Sequence, residues 1–101
     1  HESRTDATTQ SFRLQQNIPN PFNSTTSIGF RLIEDGPIEL AIYNLSGQRV
    51  TTLVDGMRVA GSYSTQWNGQ DQTGHPLASG VYLYRLRSGK RIETRKLLLL
   101  Q

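Results

Sequence analysis

Two histidines, His1 and His75, are the only imidazoles in the 101-residue chain, and acid–base chemistry near neutral pH would have to start from them. A serine-type triad places a histidine between a nucleophile and an acid. His1 lies at the very start, His75 sits just before Pro76 in a stretch full of turn formers, and no serine occupies a nucleophile-elbow pattern. His75 therefore reads as a solvent-exposed loop residue. Zinc needs three or four ligands, and a chain without cysteine offers few. Glu34 and Asp35 are adjacent in a turn, whereas a glycosidase needs two carboxyl groups converging across a cleft. Between Asn68 and Gly74 there is one carboxylate, Asp71, which would serve as a sparse calcium ligand or as a turn cap. The expectation is a protein with no catalytic, cofactor-binding or metal-binding residues, and not an enzyme.

The aromatic residues suggest a second chemistry. Trp67, Tyr43, Tyr63, Tyr82 and Tyr84 could stack on sugar rings in a carbohydrate-binding platform. Alternation along the strands instead puts Trp67 with Tyr63, and Tyr82 with Tyr84, on faces whose other members are apolar, so core packing is the competing reading. Tyr43 is the ring left to face solvent. Basic residues gather only near the end: Arg85, Arg87, Lys90, Arg91, Arg95 and Lys96. With a net charge of +3 and no basic block, these read as a solvated strand face rather than a nucleic-acid surface.

The elements that would carry these side chains are short strands. Thr, Ser, Gly and Asn are abundant beside Val, Ile, Leu and Tyr, and no segment keeps a 3.6-residue stripe for three turns. Residues 1–11 read as a polar linker remnant, without the basic start and apolar stretch of a secretory signal, and residues 12–101 as one domain. No run approaches the ~20 apolar residues of a membrane helix. Phe12 to Gln16 reads as a first short strand. Asn17-Ile18-Pro19-Asn20-Pro21-Phe22-Asn23 is a stiff connector, anchored by Ile18 and Phe22. Strands follow over 25–33, 38–44 and 49–55, then a Gly56–Gly61 link, a strand over 62–67, a 68–80 loop, a strand from 81 and a final one from Arg91. The fold class is all-β, an immunoglobulin-like antiparallel β-sandwich of seven to eight strands, with a closed barrel as the alternative.

The ending Arg95-Lys96-Leu97-Leu98-Leu99-Leu100-Gln101 breaks the alternation of a half-wet strand. Counting from Ile92 and Thr94 places Leu98 and Leu100 inward, and Leu97 and Leu99 outward with Arg91, Glu93 and Arg95. Outward apolar residues on an edge strand are a hazard unless paired or covered. Residues 92–101 would then offer an edge for strand addition by a partner, or be an ordinary buried strand.

Several segments, taken in order, resemble a known family. They are the 17–23 connector, Ala41-Ile42-Tyr43-Asn44-Leu45-Ser46-Gly47-Gln48-Arg49-Val50, Trp67-Asn68-Gly69 with Asp71 and Gly74, Ala78 to Leu86, and the Lys96-plus-leucine ending. From about Leu14 onward the chain resembles the type A C-terminal sorting domains of type IX secretion cargo, and is similar to the immunoglobulin-like domain of flagellar hook-capping proteins. The resemblance implies a non-enzymatic module closing a larger secreted protein, with a catalytic or adhesive domain N-terminal to it. Its partner would be the outer-membrane secretion machinery, and its destination the surface or outer membrane of a Gram-negative bacterium. Gly80 and Tyr82 match the family's Gly-x-Tyr element, and Lys96, Leu97, Leu98, Leu99 and Leu100 its closing motif. Deleting Lys96–Gln101 is expected to strand a cargo inside the envelope and leave the domain largely folded. A carbohydrate-binding or spacer sandwich is the alternative.

Overall fold

In the computed structural model, which describes residues 11–101, β-branched and aromatic residues build seven strands and no helix. They are β1 (Arg13–Leu14), β2 (Thr26–Leu32), β3 (Gly36–Tyr43), β4 (Arg49–Arg58), β5 (Gly61–Trp67), β6 (Gly80–Ser88) and β7 (Arg91–Leu99). The expected linker, residues 1–11, lies outside the described residues except for Ser11. Strands β1-β2-β5 form one antiparallel sheet and β4-β3-β6-β7 the other. Two sheets with separate edges make a sandwich, not a closed barrel.

Side chains two apart fill the space between the sheets. Ile28, Phe30 and Leu32 of β2 face Ile38, Leu40 and Ile42 of β3 and Tyr82, Tyr84 and Leu86 of β6, all of them buried. Burying each such side chain contributes roughly 1.5–3 kcal/mol. At one end Phe22, Trp67 and Tyr82 form an aromatic row, with ring centroids 5.6 and 5.8 Å apart. Those aromatics belong to the core. On β3, Ala41 is buried on the opposite parity, a small side chain in register with the longer Thr52 and Arg85 on either side.

Three details differ from the sequence reading. The first strand shrinks to Arg13–Leu14. β4 runs on through Gly56, Met57 and Arg58, where a link was expected, because Pro37 and Gly36 of β3 pair with Met57 and Arg58. Strand pairing overrides a weak local signal there. In the connector Phe22 is an anchor, but Ile18 is 74% exposed and Asn17 is buried instead. The Asn17 amide donates to Thr26 Oγ1 (3.0 Å) and Pro19 O (3.1 Å), and its backbone N–H donates to the Tyr84 hydroxyl at 2.9 Å. A proline-rich segment packed against a sheet leaves backbone groups that need partners, and a short amide supplies them where an isoleucine cannot.

Candidate recognition surface

The final strand lies at the edge of the four-stranded sheet, and its parity is fixed by β6. Cross-strand partners share a face, and Leu97 pairs with Tyr82 while Leu99 pairs with Gly80. Inward-facing Tyr82 therefore brings Leu97 and Leu99 into the core, 2% and 1% exposed. This reverses the parity expected from the sequence. Leu98 is half-buried on the outer face beside exposed Lys96, and Leu100 and Ile92 are exposed. Counting from Ile92 failed because that apolar residue points outward. Its polar neighbours are the ones that turn in: Leu14 N–H donates to Glu93 Oε1 at 2.7 Å, and Arg95 Nε donates to Leu14 O at 2.6 Å. These two side chains satisfy the backbone of β1, a two-residue strand with little pairing of its own.

The free edge of β7 is covered along its second half. Phe22 N–H donates to Leu98 O (3.1 Å), Leu100 N–H donates to Phe22 O (2.8 Å), and Phe22 forms a parallel bridge with Leu99. Asn20 Oδ1 accepts from Leu98 N–H at 2.9 Å, and Gln16 Nε2 donates to Lys96 O at 2.8 Å. Residues 16–22 thus strap the leucine segment. Because peptide groups alternate in direction, those of Ile92 and Thr94 point the same way as Leu98's, and no bond to them is present among the described residues. Of the stretch 92–101, the leucine half is closed to strand addition and the Ile92–Thr94 half is open. Gln16 and Asn20 escaped the sequence reading; the only signal was amides interspersed with prolines.

Gly80 opens β6 with φ 156° and lies opposite Leu99. Tyr82 is buried, its hydroxyl donates to Ala78 O at 2.7 Å, and burial raises its pKa. Gly69, in the left-handed region at φ 76°, closes against the same strand: a Cβ there would stand 3.2 Å from Leu99 Cδ1. Of the seven sequence-predicted residues, the structure puts Tyr82, Leu97 and Leu99 in the core and Gly80 at its margin, and leaves Lys96, Leu98 and Leu100 accessible. Removing Lys96–Gln101 would therefore take two core leucines, each costing about 2–5 kcal/mol on the Leu→Ala scale. The burial of Leu97 and Leu99 thus leads to the opposite expectation for the truncation, a destabilised domain rather than one that stays largely folded.

The 68–76 loop is built on turns. Asp71 Oδ1 accepts from His75 N–H (3.0 Å), Thr73 N–H (2.9 Å) and Thr73 Oγ1 (2.8 Å). The bond from the His75 backbone, then that from the Thr73 hydroxyl, holds the Asp71 carboxyl below its ordinary pKa. His75 is exposed, and its Nδ1 lies 2.7 Å from Thr73 Oγ1. Among the described residues no three His, Cys, Asp or Glu side chains gather as a metal site would need. An open groove of about 600 Å³ beside this loop is lined by Gln66, Asn68, Gln70 and Gln72, but the Trp67 ring beneath it is 2% exposed and presents no stacking face. Tyr43 is half-buried under Arg85, whose guanidinium carbon stands 4.7 Å from the ring centroid.

With this geometry in place, comparison with known proteins gives one family model and several solved structures of similar fold. A family model described as the FlgD Ig-like domain matches residues 13–91. Dimeric latent PorU from Porphyromonas gingivalis superposes with a TM-score of 0.66 at 17% identity, over 89% of this chain and 9% of that one. PorZ, described as an essential bacterial surface component of the type IX secretion system of P. gingivalis, gives 0.55 at 18% identity, over 99% and 12% of the two chains. FlgD from Xanthomonas campestris, described in the context of hook capping in flagellar assembly, gives 0.59 at 18% identity, over 96% and 74%. The chain spans about a tenth of the length of the two Porphyromonas proteins. No curated protein matches it.

Proposed function

We propose that this chain, which belongs to the FlgD Ig-like domain family, is a non-catalytic sorting and anchoring module that directs a larger secreted protein across the outer membrane to the cell surface. Its partners are then the type IX secretion machinery and a catalytic or adhesive domain preceding it. The observation that carries the reading is the form of the final strand. Its apolar run is longer than the core needs: Leu97 and Leu99 pack inside, while Leu98 and Leu100 remain at the surface beside Lys96. The likeness of the fold to domains of PorU and PorZ supports the same reading. Recognition acts on the folded domain, through the outer face of β7 and its open Ile92–Thr94 edge.

The direct test is a gain of function. Residues 12–101 are fused behind a folded reporter enzyme and expressed, with a signal for entry into the periplasm, in a bacterium that possesses type IX secretion. The fusion is expected at the cell surface or in the medium, and the reporter alone in the periplasm. A folded fusion that stays in the periplasm overturns the proposal and leaves a structural spacer, the role the FlgD-type fold would equally serve.

A further inference from the structure

We infer that the outward face of the four-stranded sheet, at the end carrying Lys96 and Leu98, docks an acidic and partly apolar protein segment. The inference rests on the sorting reading and supplies the chemistry of its partner. Register places the residues. Val81 of β6 pairs with Leu98 of β7; Leu83 pairs with Tyr43 on one side and Lys96 on the other; Arg85 pairs with Ala41 and Thr94. All have the opposite parity to buried Tyr82, Tyr84 and Leu86, so they lie on the outer surface. Val81 is 38% exposed, and Leu83, Leu98 and Tyr43 are half-buried. Three strands thus present one contiguous apolar strip.

Two cations border that strip without a counter-charge among the described residues. Arg85 stands over the Tyr43 ring and donates from its Nη2 to the Tyr43 hydroxyl at 2.7 Å. That contact fixes the guanidinium and leaves its charge unneutralised. The Lys96 ammonium has no ion-pair or hydrogen-bond partner among the described residues. Elsewhere on this face the pattern is different: Glu39, paired in register with Arg87, takes both Arg87 (3.2 Å) and Arg49 (2.7 Å), the latter the register partner of Tyr43, so those two cations are answered within the fold. The outer face of the other sheet is different again, with Ser62, Ser64 and Gln66 exposed on β5. An aromatic–arginine pair held rigid amid aliphatic side chains has the composition of a protein interface centre. The uncompensated positive charge selects carboxylates opposite it and repels basic surfaces. A nucleic acid would call for a denser row of cations and no aliphatic strip.

The test uses the folded domain and synthetic ten-residue peptides. One peptide alternates Glu with Leu and Phe, a second replaces each Glu by Lys, and anionic phospholipid vesicles form a third arm. Titration followed by amide NMR shifts is expected to give a saturable response to the acidic peptide, centred on Val81, Leu83, Arg85, Lys96 and Leu98. The Arg85→Gln/Lys96→Gln double variant should bind about tenfold more weakly, the scale on which loss of interface charges is felt. Ser64→Asp, on the other sheet, should bind as the parent does. Equal response to the basic peptide, shifts centred on β2 and β5, or binding to vesicles without binding to the acidic peptide each overturns the inference. In the reporter fusion, Lys96→Glu with Leu98→Ala should lower surface delivery while the domain stays folded, with a melting temperature within about 8 °C of the parent's. If the parent fusion is not delivered at all, the sorting reading falls, and the peptide titration still decides the docking face.

Discussion

Replacing Leu97 and Leu98 one at a time by alanine separates the two faces of the final strand. Leu97 is 2% exposed, in the core beside its register partner Tyr82, whereas Leu98 is half-buried on the outer surface opposite Val81. Leu97→Ala leaves a cavity in a close-packed interior and should cost about 3 kcal/mol, within the range of about 2–5 found for buried leucines. Leu98→Ala loses only part of a surface contact and should cost about 1 kcal/mol or less. For a domain of this length each kcal/mol lowers the melting temperature by roughly 4–8 °C, so Leu97→Ala should melt about 12–24 °C below the parent and Leu98→Ala within about 8 °C of it. Far-UV circular dichroism for the thermal transitions and Trp67 fluorescence in urea measure the same two variants independently. If Leu98→Ala proves as damaging as Leu97→Ala, or more so, the register of β7 against β6 is wrong and the division of the leucines fails with it.

Tyr84→Phe should cost about 1–3 kcal/mol, because the hydroxyl both donates to Gln15 O (2.6 Å) and accepts from the buried Asn17 N–H (2.9 Å). Burial, its largest influence, raises the Tyr84 pKa above 10.0. The unfolded chain then loses the phenolic proton first, so stability should hold below about pH 10 and decline above it. The phenylalanine variant should show a shallower decline in urea titrations at alkaline pH. Gly69→Ala should destabilise by about 1–3 kcal/mol in the same assay, since its left-handed φ of 76° and the 3.2 Å approach to Leu99 both oppose a side chain. Trp67 should emit as a buried indole, resist acrylamide quenching, and stay unchanged on adding soluble polysaccharide; a saturable spectral change would restore the sugar-binding alternative.

The fold was legible wherever alternation was strong. Ile28, Phe30 and Leu32, like Ile38, Leu40 and Ile42, point where their spacing says they should, because strands with one wet face record their orientation residue by residue. Legibility failed where the orienting information is non-local. Nothing in RIETRKLLLL says which parity is inward; that is settled by Tyr82 across the sheet and by Leu14 across the sandwich, the latter 79 and 81 residues away from the side chains that bind it. The β4 extension through Gly56 and Met57 was hidden in the same way, since its warrant is the Gly36–Pro37 backbone beside it. In the connector, composition favoured Ile18 as the anchor. The winning term was the need to satisfy a buried backbone, a requirement that hydrophobic patterning does not register.

On the sorting proposal the final strand must both close a core and remain available to a partner, a conflict that the pleat resolves. Alternate residues point to opposite faces, so a run of four leucines can give Leu97 and Leu99 to the interior while Leu98 and Leu100 stay outside. The backbone is then the remaining hazard, because an apolar edge invites unintended pairing. The strap from Gln16 to Phe22 occupies that edge from Lys96 to Leu100, just where the leucines are densest, and leaves open only the more polar Ile92–Thr94 portion. Protection and exposure are thereby assigned to different atoms of one segment. The peptide groups around the leucines are consumed by the chain's own connector, and the side chains of Lys96 and Leu98 remain accessible. It follows that a partner reading the folded domain reads a surface of side chains, and that strand addition over the leucines would first require the connector to leave.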